Sequence, residues 1–193
     1  MIRHVLAALA AVGLLAACTS APTPSPTPPP KTAASGWTEV PEPHGKIDPA
    51  ELAVDPPLRF PEGDPCALLT EQEIVTTARV PHARTTTSSG PDRCTWQVGD
   101  GKDDRGRQWE QLILDRGVMA WWGGPERGEV AGRPARRLSE EGKCVLRVAL
   151  HRPADDTDDR PVLQVSLRQG NPGVDTCAGA QALAELLLAR MTA

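Results

Sequence analysis

Four cysteines are spread through the last two thirds of the chain, and they limit the folds that it can adopt. The separations between them are 28, 50 and 33 residues, and no two form a Cys-x-x-Cys pair, which argues against a zinc site. The chain has one Phe and no Tyr, so its core is poor in aromatic side chains. Because such a core is marginal, we expect two disulfides, formed in an oxidising compartment. The four residues are Cys66, Cys94, Cys144 and Cys177.

The first eighteen residues have the pattern of an exported lipoprotein. Arg3 precedes an apolar stretch, Val5 to Leu15, that is too short to span a bilayer, since a span needs about 20 residues. Leu15-Ala16-Ala17-Cys18 resembles the bacterial lipobox, which is cleaved just before a cysteine that carries a diacylglyceryl group. We therefore predict a signal peptide over 1–17 and a lipid on Cys18, which would hold the chain on the extracytoplasmic face of the cell membrane. An ordinary signal peptide with an accidental Cys18 is the alternative.

A Pro-rich segment follows the lipobox. Thr19 to Lys31 holds six prolines among Ser, Thr and Ala, and such a composition is typical of an extended, solvated tether. Gly36 to Pro57 remains rich in Pro and acidic residues, and we interpret it as a second part of the tether or as a strap on the domain. The predicted organisation is a tether over 18–57 and one globular domain over 58–193.

Helical signals stand at both ends of this domain. Asp64-Pro65 predicts the start of a short helix, and Thr70 with Glu73 forms a capping box for a helix that ends near Ala78. Asp175 predicts the start of a C-terminal helix. Its apolar face would consist of Cys177, Ala180, Leu183, Ala184, Leu187 and Met191.

Five segments between the helices read as strands, and several have apolar residues at every second position. The acidic loop His151 to Pro161 would join the last two as an antiparallel hairpin. The predicted class is therefore α+β, with an antiparallel sheet of about five strands, a short N-terminal helix, and a C-terminal helix packed on one face. The five segments are Cys94 to Val98, Gln108 to Leu114, Val130 to Leu138, Cys144 to Leu150 and Val162 to Arg168.

Four cysteines allow three disulfide pairings. We choose Cys66–Cys94, which would tie the first helix to the first of these strands. The other pair, Cys144–Cys177, would join an inward strand residue to the inward face of the last helix.

These features together resemble a family of actinobacterial lipoproteins classed as domain of unknown function 3558. The resemblance covers about 58–193, and the lipobox and tether also fit it. It implies a location and a fold more than an activity. The layout is also remotely similar to the extracellular sensor domains of mycobacterial Ser/Thr kinases, which would imply ligand sensing or binding. The motifs that carry the resemblance are Asp64 to Thr70, Cys94-Thr95-Trp96, Gly132 to Ala135 leading to Cys144, and Asp175-Thr176-Cys177.

No catalytic motif stands in the sequence, and we expect no enzyme activity, no cofactor and no metal. His44, His82 and His151 lie in Pro-rich or turn-like contexts without a nucleophile motif beside them. The acidic loops Asp100 to Arg105 and Asp155 to Asp159 are incomplete as calcium loops, and weak calcium binding is the alternative to solvated turns.

The charge of the chain argues against a nucleic-acid partner. Arg133, Arg136 and Arg137 are expected to form a small basic patch, yet the net charge is −4.

Trp121 and Trp122 are the candidate binding residues. They precede Gly123-Gly124-Pro125 in an expected loop between strands, where two exposed indoles are costly unless they cover something. They are either a cap on the core or a binding lip for a peptide, glycan or lipid. The favoured function is accordingly a ligand- or partner-binding, sensor-like module of the cell envelope. An envelope enzyme without a visible motif is the alternative.

Overall fold

The computed structural model describes residues 36–39, 54–102, 106, 109–120, 124–151, 159–171 and 173–192. The predicted signal peptide, Cys18 and the Pro-rich stretch after it lie outside these ranges. Among the helices that the structure describes, none is long and apolar enough to cross a membrane.

One antiparallel sheet makes up most of the described structure. Its strands are β1 (Thr38–Glu39), β2 (Arg84–Gly90), β3 (Arg93–Gln97), β4 (Gln111–Ala120), β5 (Glu126–Val130), β6 (Arg133–Glu140), β7 (Lys143–Ala149) and β8 (Asp159–Arg168). They lie in the order β1-β5-β6-β7-β8-β4-β3-β2, and every neighbouring pair is antiparallel. The hairpin predicted around the acidic loop is present as β7 and β8.

The sheet has eight strands, so the prediction of about five was wrong. The three that it missed are β1, β2 and β5. β1 has two residues, and β2 has the sequence RTTTSSG, which contains no apolar side chain to alternate with polar ones. β5 has a single buried residue, Val130. A strand is recognised in a sequence by the alternating apolar residues of its buried face, so a strand without such a face is predicted as a loop.

The segment that we predicted as one strand, Val130 to Leu138, contains a hairpin turn. Ala131 and Gly132 have φ angles of 51° and 74°, and Val130 pairs with Arg133 across them. Positive φ at both central residues is the conformation of a type I′ turn, one of the two-residue hairpin loops that match the twist of the strands. Gly132 adopts this conformation freely, whereas Ala131 gives no sequence signal for it.

The helices begin at side chains that accept hydrogen bonds from exposed amides. Asp64 accepts from the Cys66 amide at 2.8 Å and opens a single 3-10 turn, Pro65–Leu68, where we predicted a short helix. The α-helix α1 (Glu71–Ala78) begins at Thr70, which exchanges two hydrogen bonds with Glu73. In α2 (Thr176–Leu188) the carboxylate of Asp175 caps the first turn.

The core lies between one face of the sheet and the two helices. α2 packs across β7 and β8 and also contacts α1. Its predicted apolar face is largely buried, with Ala180, Leu183, Ala184 and Leu187 almost fully inaccessible. On the sheet side, Trp96 is the largest fully buried side chain. The core is therefore aliphatic with one central indole, in agreement with the composition.

Two disulfides cross this core, as expected. Cys66–Cys94 joins the 3-10 turn to β3, and Cys144–Cys177 joins β7 to α2. The Cα atoms of each pair are 5.1 Å apart, a usual separation for a disulfide. The pairing is the one chosen from the sequence.

Parts of the predicted tether lie against the domain as a strap. Thr38 and Glu39 form β1 on the edge of the sheet, and the Trp37 indole stacks on the Arg137 guanidinium at 4.4 Å from the ring centre. Further along, the Arg133 guanidinium donates hydrogen bonds to the carbonyls of Pro56 and Leu150. Because Arg133 is buried in these contacts, its pKa is lowered.

Polar side chains run in a row across the opposite face of the sheet. The carboxylate of Asp115, which is 3% exposed, pairs with Arg93 and accepts a hydrogen bond from Gln164 at 3.0 Å. Gln164 in turn accepts one from Arg147 at 2.7 Å. Arg136 follows on β6, whereas Arg133 and Arg137 point to the helix side, so the three arginines expected as one basic patch are divided between two faces. The members of the row, in register, are Arg93, Asp115, Gln164, Arg147, Arg136 and Arg127.

The contact between Glu73 and Arg190 should make stability depend on pH in acid. The hydrogen bond from Arg190, with those from Thr70, lowers the pKa of Glu73 from 4.5 to about 2. A lowered pKa in the folded state gives stability above about pH 4.5 that is lost as the pH falls toward 2. We expect Glu73→Gln to melt below the native chain at pH 7, and the gap in melting temperature to close between pH 4.5 and 2. A gap that stays constant with pH would contradict this, and Glu62→Gln, an exposed acid, is the control.

Candidate functional site

The structure leaves the predicted binding lip untested. Trp121 and Trp122 lie outside the described residues, between the end of β4 at Ala120 and Gly124. Cys18 also lies outside them. A candidate site must therefore be built from the described part of the chain.

A cleft of about 500 Å³ lies at one end of the sheet, a volume within the usual range of small-molecule sites. The register Lys143–Arg168–Gln111 brings together the start of β7, the end of β8 and the start of β4. The residues just beyond these strand ends, with one that precedes α2, line the cleft. They are Trp109, Glu141, Gly142, Gln169, Gly170, Asn171 and Val174. We call this the Trp109 cleft.

The Trp109 indole is held against the backbone of two turns. A β-carbon at Gly170 would lie 2.8 Å from Cζ2 of the indole, and one at Gly142 would lie 3.7 Å from Cη2. Only glycine at 170 therefore lets the ring approach so closely. The Trp109 amide donates to the carbonyl of Gly101 at 3.2 Å, which fixes the backbone below the ring. The ring remains partly exposed and forms a wall of the cleft.

The next residue, Glu110, ties the surrounding loops together. Glu110 is 7% exposed as a residue, and its carboxylate accepts hydrogen bonds from the amides of Gly101 and Gly170, the latter at 2.7 Å. The Glu110 carbonyl also accepts from the Val98 amide at 3.1 Å. A buried carboxylate that is bound by several backbone donors holds those segments in one arrangement.

Gln169 completes this support from the end of β8. Its side chain is buried, donates to the carbonyl of Val98 at 3.1 Å and accepts from the amide of Asn171 at 3.3 Å. Its backbone amide donates to the carbonyl of Gly142 at 2.8 Å. Four loop segments are therefore linked by Glu110 and Gln169, and the cleft is pre-formed.

The described residues on the rim of the cleft carry polar side chains and no cation. Glu141 and Asn171 are exposed, and no Lys or Arg is among the lining residues. Lys143, which lies near the rim, is paired with Glu140 at 2.8 Å. Within the described part of the chain, the Glu141 carboxylate makes no hydrogen bond or ion pair. The rim is therefore acidic and able to accept hydrogen bonds.

Comparison with protein families gives one match. The sequence model of a family described as protein of unknown function (DUF3558) matches residues 13–190. The chain belongs to this family. The match begins inside the apolar stretch, so the matched region spans Cys18 and the Pro-rich segment as well as the folded unit. Neither the curated proteins nor the solved structures give a match.

Sequence reasoning missed every residue of the cleft. Trp109 lies within the segment predicted as the second strand, Gln108 to Leu114, whereas β4 begins only at Gln111. One sequence signal in the DUF3558 chain could have pointed to the site. It is the presence of glycines in the loops at the strand ends, namely Gly101, Gly142 and Gly170. Their convergence on Trp109 and Glu110 depends on strand register, which a single sequence does not give.

The described residues offer no cluster for a metal ion. Among them, no group of three or more His, Cys, Asp or Glu side chains is placed to hold one. Asp103 to Arg105 and most of the loop Asp155 to Asp159 lie outside the described ranges. Of the histidines considered, His82 lies 3.7 Å from Asp100, and His44 is not described.

Proposed function

We propose that this DUF3558 chain is an extracytoplasmic lipoprotein, anchored in the cell membrane through Cys18, that binds a ligand in the Trp109 cleft. The observation that carries the binding role is the partly exposed indole of Trp109 in a pre-formed cleft. Binding sites commonly combine such an aromatic wall with a few fixed polar groups.

The two disulfides support the location. Cys94 and Cys144 are fully buried in the core, and their bonds to Cys66 and Cys177 are part of the fold. Disulfides of this kind persist in oxidising compartments and are rare in the cytosol. With the lipobox at Leu15 to Cys18, they favour a chain that is exported and retained at the membrane surface.

The anchor predicts a simple change of behaviour. Cys18→Ala should abolish partitioning of the protein into the detergent phase, because the lipid needs the thiol of Cys18. It should also prevent cleavage at the lipobox. Phase separation followed by immunoblotting measures the first, and the mass of the processed chain measures the second. A Cys18→Ala protein that still enters the detergent phase would refute the anchor.

If the ligand binds in the cleft, the indole signal of Trp109 should change on binding. We expect a fraction of the cell envelope to shift the indole N–H signal of Trp109 in ¹⁵N spectra of the full lipidated chain in micelles. Trp109→Ala should weaken binding by roughly tenfold or more, since aromatic anchors often contribute about 2 kcal/mol. Trp37→Ala, which removes the indole of the strap, is the matched control and should leave binding unchanged.

The same spectra separate this proposal from the sequence prediction. Each signal is assigned by a Trp→Phe variant, so ligand effects on Trp121 and Trp122 are seen independently. A fraction that shifts only those two signals would move the binding site to the predicted lip and refute the cleft.

A further inference from the structure

We infer that the ligand of the Trp109 cleft is a neutral saccharide, with one sugar ring against the exposed part of the Trp109 indole. This inference rests on the proposed function and adds the chemical class of the ligand. Three properties of the cleft lead to it: its aromatic wall, its charge, and its hydrogen-bonding rim.

The aromatic wall suits the C–H face of a sugar ring. A pyranose presents several C–H groups on one face, and these pack on the electron-rich face of an indole. The Trp109 ring is fixed by Gly170 and by the hydrogen bond of its own backbone amide to Gly101. A ring that is already immobilised loses little conformational entropy when the ligand packs on it.

The charge of the described lining disfavours anionic ligands. Among the described residues that line the cleft, Glu141 is the one charged side chain, and the buried carboxylate of Glu110 is bound to the Gly170 amide next to it. A phosphate or a carboxylate would meet two negative groups and no cation among these residues. Placing like charges together is costly, and more so in a partly enclosed site.

The rim offers the hydrogen-bonding groups that hydroxyls need. The Glu141 carboxylate can accept two or more hydrogen bonds from sugar hydroxyls. Asn171 also lines the cleft, and its side-chain Oδ1 accepts from the Gly173 amide at 3.0 Å, which orients the side-chain amide. An acceptor and an oriented amide beside an aromatic wall favour a polyhydroxylated, uncharged ring.

A cationic amine is the competing ligand class, because an indole and a carboxylate also attract a cation. Cages for such cations usually surround the charge with several aromatic rings, whereas one ring lines this cleft within the described residues. Four of the seven lining residues are glycines or carry side-chain amides, whose N–H and C=O groups can hydrogen-bond hydroxyls but supply no negative charge to a cation. The saccharide is therefore favoured.

The test is a titration of the full lipidated chain in a polyoxyethylene detergent, which contains neither sugars nor amines. The probes are three neutral oligosaccharides, namely the trimers of N-acetylglucosamine, glucose and mannose, and a trilysine peptide. We expect at least one saccharide to shift the Trp109 indole signal saturably. Its affinity should change less than about twofold between roughly 0.01 and 1 M salt, since no ionic contact is involved.

Variants locate the contact. Binding to the variants is measured by calorimetry, because Trp109→Ala removes the reporter indole. Trp109→Ala should weaken saccharide binding by about tenfold or more, and Asn171→Ala, at an exposed position, by several fold. Trp37→Ala should not change it. Melting curves of each variant establish that it is folded, and Asn171→Ala keeps the test valid if Trp109→Ala is unstable.

Three outcomes would overturn the inference. Salt-sensitive binding of trilysine that is lost in Glu141→Gln, without saccharide binding, would assign the cleft to amines. An envelope fraction that shifts Trp109 while no saccharide does would leave the proposed binding role intact and refute the ligand class. Saccharide binding that shifts other indoles and spares Trp109 would refute the site itself.

Discussion

Replacing both Cys144 and Cys177 by alanine should lower the free energy of unfolding by about 4 kcal/mol. The two residues are 33 positions apart, and closing a loop of that length removes about this much free energy from the unfolded chain in the loop-entropy estimate. Domains of this size are stable by only about 5–15 kcal/mol, so the loss is a large part of the total. Alanine is chosen because Cys144 is fully buried, where a serine hydroxyl would add its own cost.

Urea denaturation of the oxidised protein measures this effect. The matched control is Cys66→Ala with Cys94→Ala, which opens a loop of similar length at the 3-10 turn and should cost a similar amount. Peptide mapping without reduction should recover Cys66 joined to Cys94 and Cys144 joined to Cys177. A loss below about 1 kcal/mol for the first variant, or recovery of any other pair, would contradict the structure.

Asp115→Ala should destabilise the chain by about 1–3 kcal/mol, the usual cost when the partners of a buried acceptor lose their hydrogen bonds. The Asp115 side chain is 4% exposed, whereas that of Arg93 is 48% exposed, so Arg93 can be solvated by water when the carboxylate is removed. Asp115 forms an ion pair with Arg93 and is linked to Arg147 by hydrogen bonds through Gln164. Burial lowers the pKa of Arg147 and the charge of Asp115 raises it, so the loss of Asp115 leaves Arg147 without the charge that offsets its burial.

Thermal and urea unfolding check the prediction. Asp115→Asn keeps an acceptor for Gln164 but not the charge, and should fall between Asp115→Ala and the native chain. Glu129→Ala, which removes an exposed carboxylate from β5, should change stability by less than about 0.5 kcal/mol. If Asp115→Ala and Glu129→Ala behaved alike, the polar row would not contribute to stability.

The parts of the fold that the sequence predicted are those with a one-sided apolar pattern. β7 and β8 alternate buried and less buried residues over most of their length, and α2 places its apolar residues at helical spacing. Because the buried faces of these elements follow from the spacing of apolar residues along the chain, a single sequence is enough to predict them. The disulfide between Cys144 and Cys177 was predicted from the same patterns, because each cysteine was expected to point inward.

The parts that it missed depend on which strands lie side by side. β1 and β2 are polar and become strands only because β5 and β3 present open edges to them. The Trp109 cleft arises where the ends of β4, β7 and β8 meet. β4 lies beside β8 although 38 residues separate Ala120 from Asp159 in sequence. The periodicity of apolar residues does not show which strands pair, so the position of the cleft could not be predicted from the sequence.

The strap at β1 covers one edge of the sheet, which has a consequence for self-association. An uncovered strand at a sheet edge is a template for pairing with a second molecule. At one edge, Thr38 and Glu39 occupy the hydrogen-bonding positions of Glu126 and Arg127, and the Trp37 ring lies against Gly128, so β5 is shielded by the chain itself. At the other edge, the pairing of β2 with β3 is irregular between Thr86 and Gly90, which also disfavours edge-to-edge addition. A fragment that begins at residue 58 would lack Trp37 and β1, so its β5 edge would be uncovered and the fragment should self-associate through β5. A fragment that begins before Trp37 keeps this edge covered.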